Sequence, residues 1–150
     1  MTSYNWNYPT TVWVGEKRVE DLHLACKQLK IKKPLFVTDT GLAQSEMVKK
    51  IVEDLNKKSL QTKVFSEVKG NPVGSNVSQG VEAFKKGNHD GVIAFGGGSP
   101  IDSAKAMSVL AKFGGKVSDY KFPNIVNKNG LPLIAIPTTA GTGSEATKFT

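Results

Sequence analysis

The chain alternates between short apolar runs and longer stretches in which apolar residues recur three and four positions apart. Short continuous apolar runs such as Gly91–Phe95 and Pro132–Ile136 are typical of strands buried on both faces of a sheet. The longer stretches, with lysines between the apolar positions, are typical of amphipathic helices. Strands that alternate with helices predict a parallel sheet with helices on both faces.

The periodicity predicts five strands and four helices within a single domain. The predicted strands are Thr11–Val14, Pro34–Thr38, Lys63–Val68, Gly91–Phe95 and Pro132–Ile136. The predicted helices are Arg18–Lys30, Glu46–Lys58, Gly74–Lys86 and Pro100–Lys112. The first two helices are predicted to bury Val19, Leu22, Ala25, Cys26 and Leu29, and Met47, Val48, Ile51, Val52 and Leu55. A polar stretch from Gly114 to Gly130 is predicted to be a surface connection.

The composition is that of an ordinary globular domain. The chain has 150 residues, of which 39% are hydrophobic and 22% charged, so it can bury a core and does not resemble a disordered chain. No apolar run approaches the roughly 20 residues that span a bilayer, and the polar N-terminus does not resemble a signal peptide. The single Cys26 fits a reducing compartment. We therefore expect a cytoplasmic protein without a membrane partner, in which Cys26 is a buried helix residue.

The net charge of +7 raises the question of a nucleic-acid partner. The lysines, however, are dispersed as pairs along predicted helix faces, as at Lys49-Lys50, Lys57-Lys58 and Lys85-Lys86. No basic stripe interleaved with aromatic residues is present, so we expect no nucleic-acid binding. The same charge favours an anionic small-molecule ligand.

Polar residues follow four of the predicted strands. These clusters are Asp39, Lys69–Pro72, Gly96–Ser99 and Pro137–Gly143. Because ligands of parallel sheets bind beyond the carboxyl ends of the strands, the four clusters predict one binding site at one edge of the sheet.

The turn Gly96–Ser99 carries the strongest chemical signal. Glycines lack a Cβ and let a pyrophosphate approach the backbone, and a helix N-terminus favours negative charge. Ser99, Pro100 and Asp102 fit the N-cap, N1 and N3 positions of the following helix. A tight turn without a ligand is the alternative for the glycines, and a purely capping role is the alternative for Asp102. The spacing departs from the common G-x-G-x-x-G dinucleotide pattern.

Two further features suit a dinucleotide. A carboxylate at Asp39 can accept both hydroxyls of an adenosine ribose and would repel a 2′-phosphate; a turn or N-cap role before Thr40-Gly41 is the alternative. Thr138, Thr139 and Thr142 offer hydroxyl groups in a loop that Gly141 and Gly143 allow to fold around a ligand.

These motifs resemble the N-terminal half of iron-containing (group III) alcohol dehydrogenases. The resemblance rests on Gly96–Lys105, on Ile136–Glu145, on Val37–Asp39 with Gly41-Leu42, on Asn71-Pro72 and on Tyr8-Pro9-Thr10. It implies a Rossmann-like α/β domain, similar to the N-terminal domain of dehydroquinate synthase, that binds NAD or NADP across residues 1–150. It also implies that Asp39 meets the adenosine ribose and favours NAD, and that Gly97, Gly98 and Ser99 meet the pyrophosphate. The residues implied to line the cofactor cleft are Asn71, Asp102, Thr138, Thr139, Thr142 and Thr147.

The resemblance further implies an oxidoreductase that interconverts alcohols with aldehydes or ketones. Family members bind Fe²⁺ or another divalent metal through one Asp and three His of a second, all-helical domain, and this chain ends at Thr150 before such residues. Neither of its histidines, His23 and His89, is expected to be a metal ligand. We therefore expect a truncated chain that binds nucleotide weakly or not at all and does not turn over.

Two other functions fit the same residues. One is a stand-alone nucleotide-binding module without catalysis. The other is a domain of an enzyme similar to glycerol dehydrogenase or dehydroquinate synthase, which share this type of N-terminal domain. The sequence leaves the oligomeric state open; a homodimer that pairs the Thr11–Val14 strand across two copies is one possibility, which no residue pattern requires.

Overall fold

The core of the protein is a four-stranded parallel sheet. The computed structural model describes residues 10–70, 74–120 and 129–147. In these ranges the strands are β1 (Pro34–Asp39), β2 (Lys63–Val68), β3 (Gly91–Gly96) and β4 (Leu133–Pro137). They lie in the order β2-β1-β3-β4, and every neighbouring pair is parallel. The predicted parallel sheet is confirmed.

Helices connect and cover the strands. They are α1 (Leu22–Gln28), α2 (Thr40–Ala43), α3 (Glu46–Lys57), α4 (Gly74–Lys86) and α5 (Gly98–Phe113), with 3₁₀ turns at Arg18–Asp21 and Val117–Tyr120. In the described ranges, no helix is long and apolar enough to cross a membrane.

Both faces of the sheet carry a hydrophobic core, because successive strand residues point to opposite faces. On one face, Leu35 and Val37 of β1 join a cluster with residues of α4 and α5. On the other face, Phe36 joins a cluster with residues of α1 and α3. The prediction of helices on both faces is therefore confirmed. The packing of α5 against β3 and β1 fixes where the first turn of α5 meets the strand ends.

The strands differ in burial according to their place in the sheet. All six residues of β3 are buried, because β3 lies between β1 and β4 and is covered on both faces. The equally apolar β4 is only half-buried. Because β4 forms the edge of the described sheet, it is less buried than its apolar sequence predicts.

Some predictions about the first part of the chain are wrong. Thr11–Val14 forms no strand, because no described strand pairs with it, and the side chains of Val12 and Val14 are exposed. The first helix ends at Gln28, and the left-handed backbone of Lys30 (φ 60°) turns the chain away, which leaves Leu29 exposed. Met47, in the first turn of α3, is also exposed.

Candidate functional site

A cleft of about 650 Å³ opens at the carboxyl ends of the strands. The residues that line it come from all four strand ends: Asp39–Leu42 after β1, Val68–Gly70 after β2, Gly97–Pro100 after β3, and Thr138 and Thr139 after β4. Within the described residues, each of the four predicted polar clusters contributes to this edge, and the predicted convergence is confirmed to that extent. It follows from the parallel register, which brings every carboxyl end to the same side.

The cleft lies where the connectivity of the sheet reverses direction. The chain leaves β1 toward β2 on one side, and it leaves β3 toward β4 on the other side. The two connections diverge and leave a crevice between the ends of β1 and β3. Such a switch point is the usual ligand site of an open α/β sheet.

The turn after β3 depends on its first glycine. Gly96 has a φ of +145°, and a Cβ placed there would lie 2.7 Å from Cγ of Pro100. A positive φ of this kind is strained for any residue with a side chain. The pyrrolidine ring of Pro100 cannot swing away as the tip of a flexible side chain could. Gly96 is therefore required for β3 to pass into α5.

Helix α5 begins earlier than the sequence predicts. Gly97 is the N-cap in an extended conformation (φ −78°, ψ −160°), no side chain caps the helix, and the first helical residue is Gly98. The capping assignment of Ser99, Pro100 and Asp102 is therefore wrong. Gly97 and Gly98 connect the strand to the helix without a capping side chain, so Ser99 and Pro100 lie inside the first turn. Pro100 is tolerated there because N–H groups of the first turn have no intrahelical acceptor.

Asp102 lies beyond the first turn of α5 and outside the lining of the cleft. Its Oδ1 is 3.6 Å from Nζ of Lys105, one helical turn further along. This ion pair is half-buried, with the Lys105 side chain 16% exposed and that of Asp102 34% exposed. Asp102 therefore pairs with the Lys105 ammonium and does not cap the helix.

The threonine-rich loop after β4 packs closely on the start of α5. A Cβ at Gly97 would lie 3.3 Å from Oγ1 of Thr139, and a Cβ at Gly98 would lie 3.1 Å from Oγ of Ser144. The loop is also fixed by a hydrogen bond of 2.9 Å that the Thr138 N–H donates to the Gly96 carbonyl. The glycines therefore serve the approach of a second loop as well as the turn itself.

The far end of this loop is held by Lys105. The ammonium donates to the Thr147 carbonyl at 2.9 Å and to Thr147 Oγ1 at 3.1 Å. Within the loop, Thr142 Oγ1 accepts from the Ser144 N–H at 3.4 Å. Neither Thr142 nor Thr147 lines the cleft; their described contacts shape the loop instead.

Asp39 both caps a helix and lines the cleft. Its Oδ1 accepts a hydrogen bond of 2.8 Å from the Leu42 N–H, so Asp39 is the N-cap of α2. The capping alternative is thereby confirmed, and the half-buried carboxylate also lines the cleft. Beside it, Thr40 Oγ1 donates to the Ser66 carbonyl at 2.9 Å, which links the ends of β1 and β2.

The structure brings together only part of the predicted site. The predicted residues that share the cleft are Asp39, Gly97, Gly98, Ser99, Thr138 and Thr139. Asp102, Thr142 and Thr147 lie outside its lining, and Asn71 lies outside the described residues. The sequence pattern indicates no role for Thr40, Lys105 or Ser144, and it places Lys69 in the predicted site only as a member of the cluster Lys69–Pro72. The spacing of Asp102 and Lys105, three residues apart on a helix, was the available signal for Lys105.

The described residues contain no group of three or more His, Cys, Asp or Glu side chains that could hold a metal ion. His89 is buried, and its Nδ1 lies 2.9 Å from the Lys33 carbonyl at the opposite end of the sheet from the cleft. His23 lies on α1, with its Nδ1 3.2 Å from the Glu20 carbonyl.

Comparison with known proteins agrees with this architecture. The family model for iron-containing alcohol dehydrogenase matches residues 9–150. The NAD-dependent methanol dehydrogenase of Bacillus methanolicus is 36% identical over 145 residues, which are 97% of this chain and 38% of that relative. A crystal structure of 1,3-propanediol oxidoreductase superposes with a TM-score of 0.89 at 30% identity, over 98% of this chain and 38% of that one.

A second solved structure was determined with a bound cofactor. Sulfoacetaldehyde reductase from Bifidobacterium kashiwanohense, in complex with NAD⁺, superposes with a TM-score of 0.87 at 26% identity over 98% of this chain and 39% of that one. The chain thus spans less than two fifths of the length of these relatives. It belongs to the iron-containing alcohol dehydrogenase family.

Proposed function

We propose that this chain forms the NAD⁺-binding part of an enzyme that interconverts alcohols with aldehydes or ketones. The observation that carries the proposal is the cleft between the ends of β1 and β3, with the glycine turn of α5 on one side and Asp39 on the other. Family membership supports the reaction class. When bound, NAD⁺ supplies the acceptor for a hydride at its nicotinamide ring.

The start of α5 suits a pyrophosphate. The N–H groups of Gly98 and Ser99 belong to the first turn of a 16-residue helix and have no intrahelical acceptor. Together with the helix dipole, they favour a negatively charged group. Gly97 and Gly98 add no side chain that would keep such a group from the backbone. We assign Gly97, Gly98 and Ser99 to the pyrophosphate.

The end of β1 suits an adenosine ribose. Asp39 engages Oδ1 with the Leu42 N–H, and a carboxylate has two oxygens and several acceptor sites. The same residue can therefore cap α2 and accept a ribose hydroxyl. Its negative charge opposes a 2′-phosphate, which favours NAD⁺ over NADP⁺.

The threonine loop suits the remaining part of the cofactor. Thr138 and Thr139, which each carry a hydroxyl group, line the cleft after β4, on the far side of the α5 turn from Asp39. We assign these two residues to orienting the cofactor. Thr142, Thr147 and Asp102 support the loop and helix that position it.

The described residues do not offer a donor set for Fe²⁺ or another divalent ion. We therefore assign to them the binding and orientation of the cofactor and no step at a metal. A cytoplasmic location stays a prediction from the sequence, and so does a homodimer, although the Thr11–Val14 strand suggested for its pairing does not form.

Calorimetric titration of the protein with NAD⁺ and with NADP⁺ tests the assignment of Asp39. We expect tighter binding of NAD⁺, and we expect Asp39→Gly to raise the affinity for NADP⁺ relative to NAD⁺. Asp39→Asn is the matched variant, because it removes the charge and keeps an oxygen for the Leu42 N–H. An unchanged ratio in both variants would contradict the ribose assignment.

A further inference from the structure

Lys69 is a charged residue that lies in the cleft beside Asp39. It follows Val68, the last residue of β2, and Val68 is paired in register with Asp39. Because neighbouring strands lie about 4.8 Å apart, the backbone of Lys69 begins close to the end of β1. Lys69 and Asp39 both line the cleft, and Lys69 is exposed.

Within the described residues, the Lys69 ammonium is uncommitted. Across residues 10–70, 74–120 and 129–147, it has no ion-pair or hydrogen-bond partner, and Asp39 is not within ion-pair distance. One oxygen of Asp39 is instead engaged by the Leu42 N–H. A cation and an anion thus stand on adjacent strand ends without neutralising each other. The hydrogen bond from Thr40 to the Ser66 carbonyl holds these two strand ends together.

The strand order places Lys69 on the ribose side of the cleft. β1 lies between β2 and β3, so Lys69 is separated from the glycine turn by the whole of β1. Two strand spacings, about 10 Å, lie between the ends of β2 and β3. Lys69 is therefore better placed for a group on the outer side of Asp39 than for the pyrophosphate at α5.

We propose that Lys69 is a second determinant of cofactor specificity, which binds the 2′-phosphate of NADP⁺ and limits the preference for NAD⁺ set by Asp39. The inference rests on the proposed function, since it requires the adenosine ribose to lie at Asp39. A 2′-phosphate would stand between the two side chains, repelled by the carboxylate and attracted by the ammonium. The protein therefore accepts both cofactors, and the ratio of its NAD⁺ affinity to its NADP⁺ affinity is smaller than Asp39 alone would produce.

The test is a set of dissociation constants for NAD⁺ and NADP⁺, measured by calorimetry at low salt. The variants are Lys69→Met, Asp39→Asn and the double variant. Lys69→Arg keeps the charge at the site. Lys63→Met removes the same charge from the other end of β2, about 20 Å away along the strand, and is the matched control.

We expect Lys69→Met to weaken NADP⁺ binding about fivefold, as for an exposed charge pair, with NAD⁺ changed by less than about twofold. We expect Asp39→Asn to strengthen NADP⁺ binding, and the double variant to lose that gain. Lys69→Arg and Lys63→Met should keep the wild-type ratio of the dissociation constants for NAD⁺ and NADP⁺. Raising the salt concentration should reduce the effect of Lys69→Met.

Two results would overturn the inference. Equal weakening of NAD⁺ and NADP⁺ in Lys69→Met would assign Lys69 to the pyrophosphate or to the general field of the cleft. A gain of NADP⁺ affinity in Asp39→Asn that survives in the double variant would show that Lys69 does not meet the 2′-phosphate. The proposed function, unlike the sequence expectation of weak or absent binding, requires measurable binding of NAD⁺ to this chain. If the wild type binds neither dinucleotide, the proposed function itself fails, which is a distinct outcome.

Discussion

The Lys105 ammonium donates a hydrogen bond of 2.9 Å to the main-chain carbonyl of Thr147, 42 residues later in the chain. A second bond reaches Thr147 Oγ1. Because the first part of the same loop is fixed by the Thr138 N–H on the Gly96 carbonyl, the loop is tied to the glycine turn near its start and to α5 near its end. Lys105 is thereby a positioning residue for the cleft.

Replacing Lys105 by Met should weaken NAD⁺ binding about tenfold, which is the size expected for loss of a hydrogen bond from a charged donor. Methionine keeps the apolar stem, so the packing of α5 should change little. Calorimetry measures the affinity, and thermal unfolding measures the fold.

Lys112→Met is the matched control for that experiment. Lys112 lies near the other end of α5 and donates to the carbonyls of Asn129 and Gly130, at 2.7 and 3.2 Å. It also ties a loop to α5, but at the end away from the cleft. Equal loss of NAD⁺ affinity in both variants would show that the effect of Lys105 is not specific to the cleft.

Gly96→Ala should destabilise the protein by about 3 kcal/mol, from backbone strain and overpacking together. The reasons are the φ of +145° and the 2.7 Å approach of a Cβ to Pro100 Cγ. Chemical denaturation gives the free energy of unfolding. Gly74→Ala is the control, because a Cβ at the start of α4 meets nothing within 4 Å. That control should leave stability unchanged or raise it by less than about 1 kcal/mol, and a similar loss in both variants would contradict the account of the turn.

Burial, with a smaller contribution from Asp90, raises the pKa of the Cys26 thiol from 9.0 to about 11. The native protein therefore holds this proton where the unfolded chain loses it. The contribution of the thiol to stability is present below about pH 9 and is lost as the pH rises to about 11. The loss should amount to at most about 3 kcal/mol.

Unfolding free energies of wild type and Cys26→Ala between pH 8 and 11 measure this contribution, because other groups titrate alike in both. Their difference should fall as the pH rises. A difference that does not change with pH would contradict this contribution of the thiol.

At pH 8, a thiol reagent should label Cys26 only after denaturant is added, since the side chain has no exposed surface.

The apolar runs made the two central strands predictable, because β1 and β3 are buried on both faces and show it in their composition. The half-buried state of β4 could not be predicted in the same way. Its apolar residues do not reveal that it lies at the edge of the described sheet. Burial at a sheet edge depends on neighbours that sequence periodicity does not specify.

The candidate site, like the sheet, could be predicted from the sequence only in part. Asp39 and the glycine turn were found because strand ends carry ligand chemistry in parallel sheets. The start of α5 was misplaced because Ser99, Pro100 and Asp102 imitate a capping pattern, whereas the backbone starts the helix at Gly98 without a side-chain cap. The sequence places Lys69 only within a polar cluster at the strand ends, since the strand order β2-β1-β3-β4 is needed to show that it lies beside Asp39.

Whether the cleft binds the cofactor is tested most directly by titrating the ¹⁵N-labelled protein with NAD⁺ and following the backbone amide resonances, which report even weak binding. We expect the amides of Gly97, Gly98 and Ser99 to shift together with those of Thr40 and Thr139. Saturable shifts confined to surfaces away from the cleft, or none in the folded protein, would contradict cofactor binding in the cleft.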